Sequence, residues 1–273
     1  MSIDTLLKTL RKYNESAKPA CSVTKRISQI KQPRGGYINP KTMDAIILGD
    51  GIDSLKKYEH IHPTLIGLAV DYMTRFMLGE SIDNAFKISL LGSTLIGEQK
   101  RARKYMSKII GLDRRSIINA IKLCGYDVIY RAGIMGYKPV TEIYPDGASI
   151  ENVITMVKRS LRFFDSYGPI VLSGFTFEGG YTDIIGTGDG DFTTKDTLWD
   201  FKVSKNLIKK EHTLQLLIYW RMGLRSNYSV FKDIKYLGIY NPRLNTVYKL
   251  PVTKIPASTI REVETDIIGY SPI

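Results

Sequence analysis

The stretch that decides the fold runs from Gly188 to Tyr219 and reads GDGDFTTKDTLWDFKVSKNLIKKEHTLQLLIY. It predicts an extended segment ending near Asp191, a short turn, an apolar strand and then a helix. Side chains alternate along a strand, so Asp200 and Lys202 share one of its faces. A hairpin over 192–198 would bring Asp191 beside Asp200. Two carboxylates and one ammonium group would then occupy one small volume.

The charges lie on an otherwise apolar strand, where ionised groups are costly to bury unless they pair or bind a metal. Carboxylate oxygens are the ligands that Mg²⁺ prefers, and a neighbouring lysine can orient or deprotonate a water. The acid-x-lysine pattern occurs three times, at Glu98–Lys100, Asp200–Lys202 and Asp233–Lys235. Only the second follows another acid at hairpin distance. The alternative is a salt-bridged pair on a solvated sheet face, but the whole arrangement favours a metal-dependent nuclease site.

The segment resembles the RecB-like, or lambda-exonuclease-like, branch of the PD-(D/E)XK nuclease superfamily. That branch has a glycine-x-x-aspartate motif, a strand ending in aspartate-x-lysine, and a helix with glutamine-x-x-x-tyrosine. The matching pairs, in the same order, are Gly188 with Asp191, Asp200 with Lys202, and Gln215 with Tyr219. About 35 residues carry the resemblance.

The resemblance implies a role for each matched side chain. Two aspartates would ligate Mg²⁺, or Mn²⁺ in its place, with the Phe201 backbone carbonyl as a further oxygen ligand. The lysine would position the attacking water and help to deprotonate it. The glutamine and tyrosine, four apart on one helix face, would contact the substrate phosphate or the lysine. The alternative is that they are a border residue and a core residue of an ordinary buried helix. The implied catalytic set is Asp191, Asp200, Lys202, Gln215 and Tyr219.

The family usually adds an earlier histidine or acid to the metal shell. His62-Pro63 predicts the start of a helix on which Gly67 and Asp71 form glycine-x-x-x-aspartate. Asp71 is therefore one candidate ligand, and the alternative is a surface acid paired with Arg75. Glu178, just before the hairpin, is the competing candidate for the extra acid.

The chain carries 39 Lys and Arg against 27 Asp and Glu, a net charge of +12. Such a balance suits a surface that binds a polyanion, here duplex or single-stranded DNA. Basic residues concentrate between 100 and 122, where Asp113 is the single acid. They either line a DNA path or form a solvated helical face. The DNA-binding candidates are Lys205 and a basic cluster of Lys100, Arg101, Arg103, Lys104, Lys108, Arg114 and Arg115.

Several classes of protein are disfavoured. Two cysteines exclude a disulfide framework and cannot supply a four-cysteine iron–sulfur cluster, and three histidines do not give zinc spacing. No glycine-rich phosphate loop is present, so we expect no bound nucleotide, and a helicase or recombination partner would be another chain. No apolar run reaches transmembrane length and the amino terminus lacks the apolar core of a signal peptide, which predicts a cytoplasmic protein without a membrane partner. Self-association is left open.

A helix, three strands, a helix and a strand follow one another, which is the order of the core in the family that the segment resembles. The resemblance therefore implies an α/β fold with a restriction-endonuclease-like core, a mixed central sheet flanked by helices. Residues 1–135 would form a mainly helical basic region packed on the nuclease core of residues 136–273, in one compact unit. The segment 32–36 is expected to be an exposed loop, and Ser149 is expected to cap a helix. Predicted helices are 2–14, three within 63–131, 149–164, 207–223 and 257–267; predicted strands are 170–178, 182–192, 197–203, 235–240 and 246–252.

The function expected from these features is magnesium-dependent hydrolysis of DNA phosphodiester bonds, by exo- or endonucleolytic cleavage. One alternative is a catalytically silent nuclease fold retained for DNA binding. Another is a structure-selective resolvase of the same superfamily. The presence of Asp191, Asp200 and Lys202 together favours an active enzyme, because a decayed site usually loses one of them.

Overall fold

The computed structural model describes residues 20–49 and 54–271. The helix predicted over 2–14 lies outside these residues. In the described ranges the helices are α1 (Val23–Gln29), α2 (Pro63–Met77), α3 (Ile82–Ala85), α4 (Lys87–Leu95), α5 (Gln99–Met106), α6 (Arg114–Cys124), α7 (Asp127–Ala132), α8 (Gly147–Tyr167), α9 (Lys210–Gly223) and α10 (Ala257–Glu262), which continues as a π-helix over Val263–Ile268. The strands are β1 (Cys21–Ser22), β2 (Asp44–Ile47), β3 (Leu172–Phe175), β4 (Ile185–Thr187), β5 (Gly190–Thr193), β6 (Thr197–Phe201), β7 (Tyr236–Asn241) and β8 (Thr246–Pro251).

Six strands form one mixed sheet in the order β2-β8-β7-β6-β5-β3. Strands β3, β5 and β6 are antiparallel neighbours, and β6 and β7 run parallel. A parallel pair needs a crossover connection, which α9 supplies between these two strands. Strands β8 and β2 then extend the sheet with antiparallel pairing. The prediction of an α/β fold with a mixed central sheet flanked by helices is confirmed.

Helix ends follow local capping chemistry. The Asp113 side chain accepts hydrogen bonds from the backbone N–H groups of Arg115 and Ser116, and α6 ends before Gly125, as predicted. Helix α8 begins two residues earlier than expected. Its N-cap is Asp146, whose side chain accepts from the Ser149 N–H, so the expectation that Ser149 is the cap was wrong.

The two faces of the sheet bury different apolar clusters. On one face, α8 contributes Phe163 and Phe164 to an aromatic cluster with Trp199 of β6 and Tyr240 of β7. The Phe163 and Tyr240 rings stack with centroids 4.1 Å apart. Helix α9 covers the opposite face, where its apolar side chains pack with Leu198 of β6. Strand β6 is therefore enclosed on both sides, and its even-numbered residues face α9.

Residues 20–47 contribute more to the sheet than the sequence indicated. Strand β2, which was not predicted, pairs with β8 from Asp44 opposite Lys249 to Ile47 opposite Thr246. Helix α1 packs on α9 within the same apolar cluster as the sheet. Gln32 is buried, contrary to the exposed loop expected there, although 33–35 are exposed. The division at residue 135 stays a prediction: the helices between 63 and 132 fit it, whereas residues 20–47 belong with the sheet.

The extended segment predicted over 182–192 is two strands. Strand β4 pairs with β1 in a separate two-stranded sheet, and β5 starts the hairpin only at Gly190. Glycines at 186, 188 and 190 interrupt this stretch, and glycine inside a strand weakens it and marks close approaches. Among the described residues no helix combines the length and apolar character needed to cross a membrane.

Candidate active site

The hairpin of β5 and β6 brings two aspartates together. Phe192 pairs with Trp199, so the next pair toward the end of β6 is Asp191 beside Asp200. The Phe201 backbone N–H donates a 2.7 Å hydrogen bond to Asp191 Oδ2. Because opposed residues of an antiparallel pair point to the same face, both carboxylates lie on the α9 side of the sheet. The predicted hairpin and its pairing of acids are present.

Asp200 is 2% exposed, and its two oxygens differ. Oδ1 lies 2.9 Å from Lys202 Nζ, an ion pair between residues two apart on the same strand face. Oδ2 is buried and has no hydrogen-bond partner among the described residues. A buried, unsatisfied carboxylate oxygen is costly in an otherwise well-bonded interior. This oxygen is therefore suited to accept a cation.

Lys202 also connects the strand to helix α9. Its Nζ donates to Gln215 Oε1 over 3.1 Å, and Gln215 Nε2 donates to the Tyr219 hydroxyl over 2.9 Å. Burial lowers the pKa of Lys202, but the charges of Asp200 and Asp191 raise it by more, so the net shift is upward. The lysine stays protonated at neutral pH. The glutamine is thus bonded to the lysine, and the tyrosine, which also packs in the core, is bonded to the glutamine.

Gly188, the first residue of the resemblance, lies against this layer. A side chain at this position would meet Val23 Cγ2 at 2.9 Å and the Tyr219 ring at 3.4 Å. The close approach lets the chain pass over Tyr219 before entering β5. Only glycine fits here without displacing a neighbour, which gives this motif position a physical reason.

Burial, then the neighbouring charges of Asp200 and Asp71, raise the pKa of Asp191 to about 8, against the opposing effects of Lys202 and the Phe201 N–H. Two carboxylates so close together cannot both ionise easily. Near neutral pH this pair keeps a proton unless a cation replaces it.

Helix α2 adds Asp71 to the same region. Asp71 lines a cavity of about 230 Å³ together with Asp189 and Asp191, which we call the acidic cavity. Burial raises the pKa of Asp71 to about 6, while the charges of Arg75 and Arg131 act in the opposite direction. Arg75 donates to Glu80 through Nε at 2.8 Å and Nη2 at 2.7 Å. The structure therefore favours a shared cavity with Asp191 over the alternative of an Asp71–Arg75 surface pair.

The other two acids near the hairpin differ from Asp191. Glu178 is exposed, and its carboxylate accepts from Thr176 Oγ1 at 2.5 and 2.6 Å. It is not part of the acidic cavity lining, which Asp71 is. Asp189 lines the cavity but is exposed, with Oδ2 3.7 Å from Arg131 Nη1. Asp191 is the acid at the hairpin position.

The lining residues that the sequence reasoning missed include Lys87 of α4, and Tyr130 and Arg131 of α7. They place two cations and an aromatic ring in the same cavity as the acids. No motif or spacing connects these helices to the hairpin, because tertiary packing alone brings them there. Any signal would have required knowing that α4 and α7 pack together beside α2.

The candidate ligands fit a hard cation in their chemistry. Within residues 20–49 and 54–271, no group of three or more His, Cys, Asp or Glu side chains is arranged as a metal cluster, so Asp71 does not close on the hairpin pair in this arrangement. The adjacent carboxylates of Asp191 and Asp200, with Asp71 in the cavity that Asp191 also lines, are nevertheless the oxygen donors that Mg²⁺ uses. The unpaired Asp200 Oδ2 is the specific feature that a cation would satisfy.

The basic cluster lies on α5, the start of α6 and the turn between them, outside the acidic cavity lining. Arg101 pairs with Glu98 at 2.8 Å and Arg103 pairs with Asp83. Lys205, after β6, has its Nζ 3.7 Å from Glu59 Oε2. The remaining side chains are exposed except for a half-buried Lys108. A role of these residues in DNA binding stays a prediction.

Comparisons of the chain with protein-family profiles, with curated protein sequences and with solved structures return no match. The functional interpretation therefore depends on the geometry and chemistry of the chain's own residues.

Proposed function

We propose that the chain is a magnesium-dependent nuclease of the RecB-like PD-(D/E)XK kind that hydrolyses DNA phosphodiester bonds. One observation carries the proposal: Asp200 is buried beside Asp191, one of its oxygens is paired with Lys202, and the other has no hydrogen-bond partner in the described part of the chain. Such a group is expensive in a purely structural role. It is well suited to holding a divalent cation.

The topology supports a restriction-endonuclease-like core. Helix α8 precedes the antiparallel strands β3, β5 and β6, and α9 then leads to the parallel strand β7. This order is the one that the family resemblance implies. It puts the aspartate-x-lysine strand between an antiparallel and a parallel neighbour, with the glutamine-tyrosine helix on its polar face.

The residues proposed to hold Mg²⁺ are Asp191 and Asp200, with Asp71 as the third acid and the Phe201 carbonyl as a further oxygen. Bound there, the ion would supply concentrated positive charge beside a phosphate oxygen. The Phe201 N–H holds Asp191 in place by its 2.7 Å hydrogen bond. Glu178 is the weaker candidate because its carboxylate is exposed and bonded to Thr176.

Lys202 contributes charge and orientation. A protonated lysine cannot accept a proton, so the upward shift of its pKa favours positioning of the attacking water over its deprotonation. Its ammonium group also stabilises negative charge that develops on the phosphate. Gln215 fixes the lysine through its Oε1, and the Tyr219 hydroxyl fixes the glutamine. The three side chains act as a unit that keeps Nζ at the hairpin.

A plasmid nicking assay, run beside an end-labelled linear duplex and a branched duplex, each with Mg²⁺ or with EDTA, tests the proposal. Nicked plasmid would indicate endonuclease activity, loss of label from ends exonuclease activity, and selective cutting of a branched duplex the resolvase. The inactivating variant is Asp200→Asn. Its matched control is Asp233→Asn, an exposed acid with the same spacing to a lysine, Lys235. If well-folded protein binds DNA but cleaves no substrate, the nuclease proposal is wrong and the silent binding module is favoured.

A further inference from the structure

The helical region holds another, larger cavity, which we call the apolar cavity. It measures about 440 Å³, and its lining comes from helices α2, α6 and α7 and from the segment after α7. Leu65 and Leu68, three apart on one face of α2, line it together with Val128 of α7, and all three are only half-buried. Ile143 adds a buried apolar side chain. The cavity therefore offers large apolar side chains whose surface is still partly accessible.

The volume of the apolar cavity sets the size of a ligand. An engineered apolar cavity of ~150 Å³ takes up one benzene ring and stays free of water. The apolar cavity is about three times as large, and it lies within the ~300–1,000 Å³ of pockets that take small molecules. A compact apolar body of two fused rings, with one small polar group attached, matches this space.

The charged residues of the lining favour an anionic group on such a ligand. Arg131 and Lys138 are exposed, whereas Asp127 is 1% exposed and is bonded inside the protein. The Asp127 carboxylate accepts a 2.5 Å hydrogen bond from the Tyr72 hydroxyl and another from the Ser89 hydroxyl. An incoming anion would thus meet two accessible cations, while the acid of this lining already has its own hydrogen-bond donors.

Arg131 lines both the apolar cavity and the acidic cavity. Its Nε lies 3.6 Å from Asp127 Oδ2, and its Nη1 lies 3.7 Å from Asp189 Oδ2. Charge-assisted hydrogen bonds are shorter, about 2.7–2.9 Å, and a guanidinium group is shaped to make two of them to one carboxylate. A carboxylate bound in the apolar cavity would therefore bond Arg131 more closely than either aspartate does, and would draw it away from Asp189.

We propose that the apolar cavity is an effector site for a small molecule with an apolar body and one anionic group, and that Arg131 couples its occupancy to DNA binding at the acidic cavity. The body would pack on Leu65, Leu68 and Val128, and the anion would bind Arg131, with Lys138 in the same lining. A nucleotide fits less well, because the polar edges of its base would lie against aliphatic side chains without hydrogen-bond partners. The coupling rests on the proposed nuclease function, whereas the site itself does not.

Calorimetric titration with three probes tests the site: 2-naphthoate, the uncharged 2-naphthamide and deoxyadenosine monophosphate. We expect naphthoate to bind at least about tenfold more tightly than naphthamide, because hydrogen bonds between two charged groups are the stronger ones. Arg131→Gln should abolish that preference, and Arg131→Lys should restore part of it. The matched control is Arg101→Gln, since Arg101 is about as exposed and also has an acidic partner but lies outside both linings.

A second variant blocks the apolar cavity without removing a charge. Ala132→Trp places a large ring in the lining at an exposed position, where it should not disturb folding, and Ala257→Trp is its control at an exposed alanine of α10. The first should weaken binding of both naphthyl probes, and the second should weaken neither; thermal unfolding without probe checks that both variants fold. Unchanged binding by Ala132→Trp, naphthoate no tighter than naphthamide, or a nucleotide tighter than naphthoate would each overturn the site.

The coupling is measured as the DNA affinity of Asp200→Asn protein in naphthoate or in the same concentration of acetate. Naphthoate should weaken DNA binding by at least about fivefold, and DNA should weaken naphthoate binding by the same factor, because coupling between two bound ligands is reciprocal. Both effects should vanish with Arg131→Gln. DNA binding that naphthoate leaves unchanged overturns the coupling. If the protein neither binds nor cuts DNA, the coupling fails with the nuclease function, and the naphthoate titrations alone decide the site.

Discussion

Lys202 Nζ lies 2.9 Å from Asp200 Oδ1, and the aspartate is enclosed by protein while a quarter of the lysine side chain reaches solvent. Each of the two charges is compensated by the other. Removing one partner of a buried pair leaves the remaining charge uncompensated, whereas removing both can be nearly neutral. Stability and catalysis should therefore respond differently to single and double substitutions at this pair.

Lys202→Ala should destabilise the fold by about 1–3 kcal/mol, at the low end for a buried pair because the lysine is partly solvated. Adding Asp200→Asn should recover most of that loss. Each single variant, and the double variant, should lack magnesium-dependent cleavage while DNA affinity stays within a few-fold. Urea unfolding of the wild type, the two single variants and the double variant measures the free energies of unfolding. Cleavage and binding assays are run on the same four proteins. Cleavage that survives both single changes would mean that the proposed centre is misplaced.

Asp191→Asn should cost orders of magnitude in rate and Asp189→Asn far less. The two acids are two apart, but Asp191 accepts the Phe201 N–H and opposes Asp200, whereas Asp189 is exposed beside Arg131. Single-turnover cleavage at saturating DNA measures the difference. The reverse ranking would move the ligand assignment by two residues.

Without metal, Asp191→Asn should also stabilise the protein, increasingly so as pH rises. The pKa of Asp191 is about 8 in the fold against an ordinary value of 3.8, so between these limits the folded state holds a proton that the unfolded state has released. Raising pH through that window then favours unfolding of the wild type. The asparagine keeps a carbonyl to accept the Phe201 N–H and carries no such cost.

Thermal unfolding from pH 4 to 9 in EDTA measures this gap between wild type and Asp191→Asn. The gap should open above about pH 4 and level off above about pH 8. Mg²⁺ should raise the melting temperature of the wild type more at pH 8 than at pH 6, because the ion replaces a proton, and should not raise that of the variant. A gap that is constant with pH would contradict the raised pKa of Asp191, which burial causes first and the charge of Asp200 second.

Tyr219→Phe should lower turnover modestly, by about tenfold, with unchanged DNA affinity. The hydroxyl accepts from Gln215 Nε2, which in turn fixes Lys202 Nζ, so its loss loosens the lysine without removing its charge. Tyr248→Phe is a suitable control, since it removes the hydroxyl of another largely buried tyrosine, which lies on β8. A drop as large as that of Lys202→Ala would give the tyrosine a direct contact with the substrate.

Neutralising Lys87 and Arg131 should weaken binding to DNA of any sequence. The slope of log affinity against log salt should fall by about 0.9 per lost phosphate contact for a duplex, or by about 0.7 for a single strand. The comparison is neutralisation of Arg101, Arg103, Lys104 and Lys108 of the basic cluster. Arg101 and Arg103 pair with Glu98 and Asp83, and Arg131 pairs with Asp127 and Asp189, so both sets contain arginines with acidic neighbours. An unchanged slope in the cluster variant would mark the cluster as a solvated helix face, and an unchanged slope in the variant of Lys87 and Arg131 would mean that these two residues do not contact DNA.

The parts that the sequence predicted are those set by neighbours in the chain. The alternation in 197–202 predicts the faces of β6, and the His62-Pro63 start and the Asp113 cap predict their helices, because capping and pleating act within a few residues. The aspartate pair follows from the hairpin for the same reason. Each of these features was present in the structure.

The parts that were missed depend on contacts distant in the chain. Strand β2 is only four residues long and is exposed throughout, so it has no alternating pattern, and its partner Lys249 is about 200 residues from Asp44. Lys87 and Arg131 reach the acidic cavity by helix packing, which leaves no local signature. The choice between Asp71 and Glu178 likewise depended on where α2 packs, and the sequence could not decide it.

The pairing of β2 with β8 has a consequence for dissecting the protein. A fragment of residues 136–273 would retain every residue of the aspartate-x-lysine strand and the glutamine-tyrosine helix. It would nevertheless lose Asp71, leave one edge of β8 unpaired, and uncover the apolar surface that Val23, Ile27 and Met43 now shield. Bare sheet edges promote intermolecular strand pairing. Inactivity or aggregation of such a fragment would reflect the loss of Asp71 and of strand β2, and would say nothing about the chemistry of Asp191, Asp200 and Lys202.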